Sequence, residues 1–206
     1  MKLYYSPGAC SLAAHIALEE TGLPYELVKV DLRSHKLANG SDYYEINPKG
    51  YVPVLELEGG ERLTEAAVVL QYIADRKPGT LAPADGTMAR YRLSEWLNFI
   101  ATEIHKQFGP LWHDETPEAT KATQRAALAK RFAFIEKTLA KQPYLTGDTF
   151  TIADAYLFVV VNWSGSLKVD LTPFPALRQF QARVAARPTV RAAMKAERLI
   201  KEPATA

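Results

Sequence analysis

Only one cysteine, Cys10, occurs in the 206 residues, so no intrachain disulfide framework can form and a reducing compartment is expected. The four histidines, at 15, 35, 105 and 113, fall at no metal-ligand spacing, and one cysteine adds no second soft ligand. No metal is expected. GxGxxG, P-loop and GxSxG patterns are missing too, which leaves nucleotide cofactors and hydrolase triads without support. The longest apolar run covers only 155–161, far short of the roughly 20 residues that span a bilayer. The opening MKLYYSP has no apolar h-region and no small-residue cleavage site, so it reads as mature structure. An excess of one charge is also lacking: 25 basic and 23 acidic residues are interspersed and leave a formal +2. Nucleic acid and membrane surfaces therefore have no electrostatic footprint as partners, and a cytoplasmic location is expected.

What the chain does have is material for a packed core. Hydrophobic residues make up 48% and charged residues 23%, which argues against disorder. There is no internal repeat, and the only biased segment is an alanine-rich C-terminal tail ending in PATA. Residues 2–5 suit a strand, Pro7 and Gly8 a turn, and 11–20 a helix stopped by Gly22 and Pro24. A second strand follows at 25–30, and a strand after a helical crossover is expected to be parallel to the first. Residues 31–49 read as polar loop with a turn of helix near Tyr43. Residues 52–57 and 62–63 form two strands around the Gly59-Gly60 turn, and a helix runs from Thr64 to about Asp75. This β-α-β-β-β... order, with its long loop before the last hairpin and a closing helix, is thioredoxin-like. Pro78, Gly79, Pro83 and Gly86 mark a linker over 78–87. Beyond it only helices are predicted, at 88–108, 118–141 and 151–164, with Pro175 and Pro188 each opening another. The expected fold is an α/β thioredoxin-like N-terminal domain over 1–77 followed by an all-α C-terminal helical domain over 88–206.

Several side chains stand out on physical grounds. Cys10 lies where the first strand turns into the first helix, so the helix dipole and unpaired N–H groups favour a thiolate there. A free cysteine is also among the most buried residue types, and simple packing stays open beside reactivity. Asn98, Thr102 and His105 fall at i, i+4 and i+7, one face of the predicted long helix, either as a polar line beside a cleft or as solvated surface. Thr151 and Asp154 have the spacing of an N-terminal capping box, a structural device.

Four motifs resemble the cytosolic glutathione S-transferases, and above all their bacterial beta class: KLYYSPGACSL over 2–12, NPKGYVPVL over 47–55, LTEA over 63–66 and FTIADA over 150–155. The resemblance runs from Met1 to about Leu199. It implies that glutathione is a co-substrate rather than a cofactor, that Cys10 meets its sulfur, and that a mixed disulfide with it can form. His105, followed by Lys106, is implied to hydrogen-bond or polarise the glutathione thiol, and Asn98, Thr102 and Glu103 are implied to line the same site. Glu65 is implied to accept the ammonium group of glutathione, and the N–H of Ala66 to receive its γ-glutamyl carboxylate, as helix N-termini receive anions. The family usually has serine where this chain has Ala66, so one hydroxyl is missing. His35 falls where a basic residue faces the glycyl carboxylate. Val52, before a proline that is normally cis in the family, is implied to pair with the glutathione backbone as a strand would. Tyr5 and Ser11 offer hydroxyls that rank behind Cys10.

Conjugation of the glutathione thiolate to a small, mostly hydrophobic electrophile is the function these implications favour, in the setting of detoxification. A thiol-disulfide reductase or peroxidase using Cys10 and a non-enzymatic binding or stress-response protein are the alternatives, because a fold alone does not fix a function. A homodimer is implied by the family.

Overall fold

The computed structural model describes residues 1–201; the tail from Glu202, with its PATA end, lies outside the described residues. The chain divides into two compact units, Met1–Leu81 together with the chain from Ala186 on, and Ala82–Ala185.

The first unit is built on a five-stranded sheet: β1 (Lys2–Tyr5), β2 (Glu26–Asp31), β3 (Lys36–Leu37), β4 (Val54–Glu56) and β5 (Arg62–Leu63), in the order β3-β2-β1-β4-β5. β1 and β2 are parallel, as a helical crossover requires, and the other pairs are antiparallel. Leu3 pairs with Leu27 on one side and Leu55 on the other, and Leu3 and Leu55 are both fully buried. Helix α1 (Ser11–Thr21) is the crossover, and Gly22 closes it at φ 65 with its N–H on the Leu18 carbonyl. Its residues 11–18 are all buried, because α1 packs on β1, on α2 (Ala66–Asp75) and on α8 (Pro188–Ala196).

In this unit two features differ from the sequence expectation. The 31–49 stretch contains the strand β3 as well as the expected turn of helix, Tyr43–Glu45. Two residues are too few to show a period-two pattern, so only the pairing with β2 reveals the strand. The other is α8, which the sequence boundary grouped with the helical domain and which by its packing goes with α1 in the first unit. Arg187, before α8, holds Glu20 through Nε at 2.7 Å and Nη2 at 2.8 Å, and Thr189 also donates to that carboxylate.

The second unit is helical: α3 (Met88–Phe99), a π-helical stretch Ile100–His105, α4 (Lys106–Phe108), α5 (Glu118–Leu139), α6 (Ile152–Ser166) and α7 (Pro175–Ala185). α5 buries Leu128, Phe132, Ile135 and Leu139 along one stripe. α6 is apolar almost all round and lies buried at the centre of the unit. Its first turn is locked as the sequence predicts: Asp154 accepts from the N–H and hydroxyl of Thr151 and from the N–H of Leu145, each at 2.8 Å. The expected single helix over 88–108 is interrupted by the π stretch. An i→i+5 turn takes one residue more than an α turn, so later side chains rotate by about 100° from their α-helical positions.

Candidate functional site

The turn between β1 and α1 holds Cys10 at the N-cap of α1, with φ −58 and ψ −20. The residue is 9% exposed, and its sulfur lies 3.2 Å from the Val52 carbonyl oxygen. Several contacts pin the turn. Ser11 Oγ bridges the N–H and carbonyl of Ser6, at 3.2 and 3.3 Å, which commits that hydroxyl internally. The Gly8 N–H donates to Glu197 Oε2 at 2.9 Å, and Glu197 Oε1 lies 2.9 Å from His15 Nδ1, both side chains being fully buried. Tyr5, next to this pair, keeps its phenol protonated to higher pH than usual, first through burial and then through the Glu197 charge.

Val52 precedes Pro53 through a cis peptide bond. Among the described residues the Val52 N–H has no hydrogen-bond partner. The preceding carbonyl, of Tyr51, accepts from Tyr43 Oη and Asn47 Nδ2, each at 2.8 Å, which fixes the 47–51 turn from the buried side. His35 sits at φ 51 with its ring 4.6 Å from that of Tyr44, and its buried Nδ1 has no partner among the described residues. It packs against Gly50, where an added Cβ would come within 3.1 Å of the His35 ring.

Glu65 caps α2 in a conformation that L-residues avoid, φ 67 and ψ 117. Its exposed carboxylate is 2.6 Å from Lys49 Nζ, which also donates to Thr64 Oγ1 at 3.0 Å. Ala66 is the first residue of α2, and the N–H groups of Val68 and Val69 turn back to the Glu65 carbonyl. The N–H of Ala66 lies in the first turn, where a helix has no carbonyl of its own to offer. Cys10 and Val52 are thus in direct contact, Glu65 and Ala66 share the start of α2, and His35 belongs to the turn leading to Val52.

The other expected residues lie in the helical unit and do not all share a face. Asn98 and Thr102 are exposed and linked, the Thr102 hydroxyl donating to the Asn98 carbonyl at 3.0 Å. Glu103 binds Arg131, whose Nε and Nη2 donate to one carboxylate oxygen at 3.0 and 2.7 Å. His105, at the end of the π stretch, turns instead to α6: Nδ1 is 2.7 Å from Tyr156 Oη, and its ring meets that of Trp163 at 5.0 Å. The extra residue of the π turn separates His105 from the Asn98–Thr102 line that an unbroken α-helix would have kept.

Residues 8–76 match the family model described as glutathione S-transferase, N-terminal domain, and 99–188 the corresponding C-terminal domain. Glutathione S-transferase GstA of Escherichia coli O157:H7 is 47% identical over 97% of this chain and all of its own. A sphingomonad glutathione S-transferase solved in complex with glutathione superposes with TM-score 0.93 at 45% identity, over 97% of this chain and all of that one. The bacterial beta class enzyme of Sphingomonas chungbukensis gives 0.94 at 45% identity, with the same coverage. The chain belongs to the glutathione S-transferase family, bacterial beta class.

In this glutathione S-transferase three residues beside the candidate site escaped sequence reasoning. Lys49 sits inside the motif that carries Val52 and Pro53, and a cation three residues before that predicted strand is the available signal. Tyr156 and Glu197 gave no signal, being one aromatic in an apolar helix and one acid in a charged segment. Only packing puts them against His105 and beside the Cys10 turn. No group of three His, Cys, Asp or Glu side chains suited to a metal occurs among the described residues, and no described helix is long and apolar enough to cross a membrane.

Proposed function

We propose that this glutathione S-transferase binds glutathione along the Cys10–Val52 edge and conjugates it to a small apolar electrophile. The thiol of glutathione loses its proton to water, and the thiolate forms the new S–C bond as a leaving group departs or, at an activated double bond, as the adjacent carbon takes up a proton from water. The observation that carries this reading is the contact of Cys10 with Val52: it puts a sulfur beside a backbone segment whose N–H has no hydrogen-bond partner among the described residues. A peptide such as glutathione can add to that segment as a strand does, with its cysteinyl sulfur brought to the start of α1. The start of α2 supplies the complementary charges, the Glu65 carboxylate for the ammonium group and the Ala66 N–H for the neighbouring carboxylate. Hydrogen bonding of the thiolate lowers its basicity cost, which is the principal catalytic contribution expected of such a site. His35 is assigned to the glycyl carboxylate, and Asn98, Thr102, Glu103 and His105 to the glutathione site, on the strength of the family resemblance. A homodimer in the cytoplasm is part of the same proposal.

Substitution Cys10→Ala tests the reading. Conjugation of a model aryl halide should persist at reduced rate while glutathione-dependent disulfide reduction disappears. Calorimetric titration of the wild-type protein with glutathione should show saturable binding, and no binding heat together with no conjugation would refute the proposal.

A further inference from the structure

We propose that Lys49 is a specificity-determining residue that joins the Ala66 N–H in holding the γ-glutamyl α-carboxylate of glutathione, so that the site reads both charges of that group together. The role rests on the reading above for glutathione as the ligand and for Glu65 as the acceptor of its ammonium group. Lys49 reaches the start of α2 from the 47–51 turn, and both ends of that reach are fixed. On the turn, Asn47, only 3% exposed, accepts the Lys49 N–H on Oδ1 at 3.2 Å and the Gly50 N–H on its carbonyl at 2.8 Å. At the other end Nζ donates to Thr64 Oγ1 at 3.0 Å and to Glu65 Oε1 at 2.6 Å, the side chains of the two residues that precede Ala66.

A lysine ammonium has three N–H donors, and Lys49 uses two of them on Thr64 and Glu65. The third has no partner among the described residues, and the side chain is 49% exposed, so that donor is open to a ligand. Glu65 is complementary: Oε1 accepts from Lys49, Oε2 has no partner among the described residues, and the side chain makes no bond to the first turn of its own helix. The N–H groups of Val68 and Val69 return to the Glu65 carbonyl, whereas those of Ala66 and Ala67 have no partner among the described residues. Two anion-facing N–H groups, a lysine donor and a carboxylate oxygen thus gather at one helix start, and a zwitterionic amino-acid head satisfies all of them. Its ammonium group takes Glu65 Oε2, and its carboxylate takes Lys49 Nζ and the helix N–H groups, so the four charges alternate in sign. By holding the Glu65 carboxylate, Lys49 also keeps it off the N–H groups that the carboxylate of the ligand takes. A ligand with the ammonium group alone would set two cations on one carboxylate, and the site discriminates against it.

Calorimetry with three S-methylated ligands tests this, the methyl group preventing a disulfide with Cys10. They are S-methylglutathione, its analogue with 4-carboxybutyryl in place of γ-glutamyl, which lacks only the ammonium group, and its analogue with 4-aminobutyryl, which lacks only the α-carboxylate. The two analogues are titrated by displacement of the first. Lys49→Met, which keeps the length of the side chain and removes its charge, should weaken S-methylglutathione and the 4-carboxybutyryl analogue about tenfold and leave the 4-aminobutyryl analogue unweakened. Lys49→Gln should give the same pattern and decides if Lys49→Met does not fold. A loss of equal size for all three ligands overturns the proposal, because Lys49 then acts on the site as a whole rather than on the carboxylate. Tighter binding of S-methylglutathione by the variants also overturns it, because Lys49 then competes with the ammonium group for Glu65. No binding of S-methylglutathione by the wild type would overturn the glutathione reading itself and this role with it, whereas wild-type binding that Lys49→Met leaves unchanged overturns the role alone.

Discussion

Glu65 occupies a backbone conformation that a side chain makes costly, and its carboxylate is the group proposed above to hold the ammonium of glutathione. Residues held in such regions cost on the order of 1–3 kcal/mol and persist where the surroundings over-determine them. Glu65→Gly removes both the strain and the carboxylate, so stability and binding should move in opposite directions. Urea unfolding should show the variant about 1 kcal/mol more stable, while calorimetry should show weaker binding of glutathione. Loss of stability would mean that the ion pair with Lys49 outweighs the strain, against the small worth of an exposed pair. Gly50 presents the converse case. It sits at φ 71, and a Cβ would come within 2.8 Å of Tyr44 Cε1 and 3.1 Å of His35. Gly50→Ala should therefore cost about 2 kcal/mol from the left-handed backbone alone, read as a lower urea midpoint. The sequence made Cys10, Val52 and Glu65 visible because turn and cap residues declare their positions locally. It could not show that Lys49 reaches Glu65 or that Ser11 is engaged by Ser6, because such pairings depend on side chains meeting across loops.

Among the helices, α6 is the one whose start is legible residue by residue, since a capping box pairs two side chains three residues apart. Its consequence for pH was not legible, because that depends on burial. Burial raises the Asp154 carboxyl from 3.8 to about 6, against the donors of Leu145 and Thr151, so the native state holds the proton more tightly than the unfolded chain. The stability linked to this group is full below pH 3.8 and is lost as pH rises through about 6. Asp154→Asn keeps nearly the same shape without a titratable proton. Between about pH 4 and pH 7 the wild type should lose on the order of 2–3 kcal/mol relative to this variant, measured as the difference between their urea unfolding curves at the two pH values. Parallel pH dependence would show that Asp154 titrates alike in both states. The π stretch in the helix before it and the two-residue β3 have no comparable local signature. The first is an insertion in hydrogen-bond register and the second a pairing, and neither alters the apolar period that the sequence displays.

At the scale of the molecule the decisive fact is that the last helix belongs with the first one. No pattern within 186–201 reveals this, because an amphipathic helix declares a buried face but not what covers it. Two clamps hold α8 on α1, the partly buried pair of Arg187 with Glu20 at its beginning and the fully buried pair of Glu197 with His15 at its end. Glu20 stays ionised below its usual range: burial opposes this, but the hydrogen bonds from Arg187 and Thr189 prevail. The clamps differ in what else they touch, since only Glu197 also accepts the Gly8 N–H, two residues before Cys10. Breaking one partner of a buried pair costs about 3 kcal/mol or more, so Glu197→Ala should lower the urea midpoint strongly, and Glu20→Ala, which breaks a partly buried pair, should lower it less. Their effects on the thiol should diverge. Alkylation of Cys10 by iodoacetamide should accelerate in Glu197→Ala, where the turn has lost its anchor, and stay near the wild-type rate in Glu20→Ala under the same native conditions. Equal acceleration in the two variants would show that Cys10 responds to the docking of α8 as a whole rather than to the Gly8–Glu197 hydrogen bond.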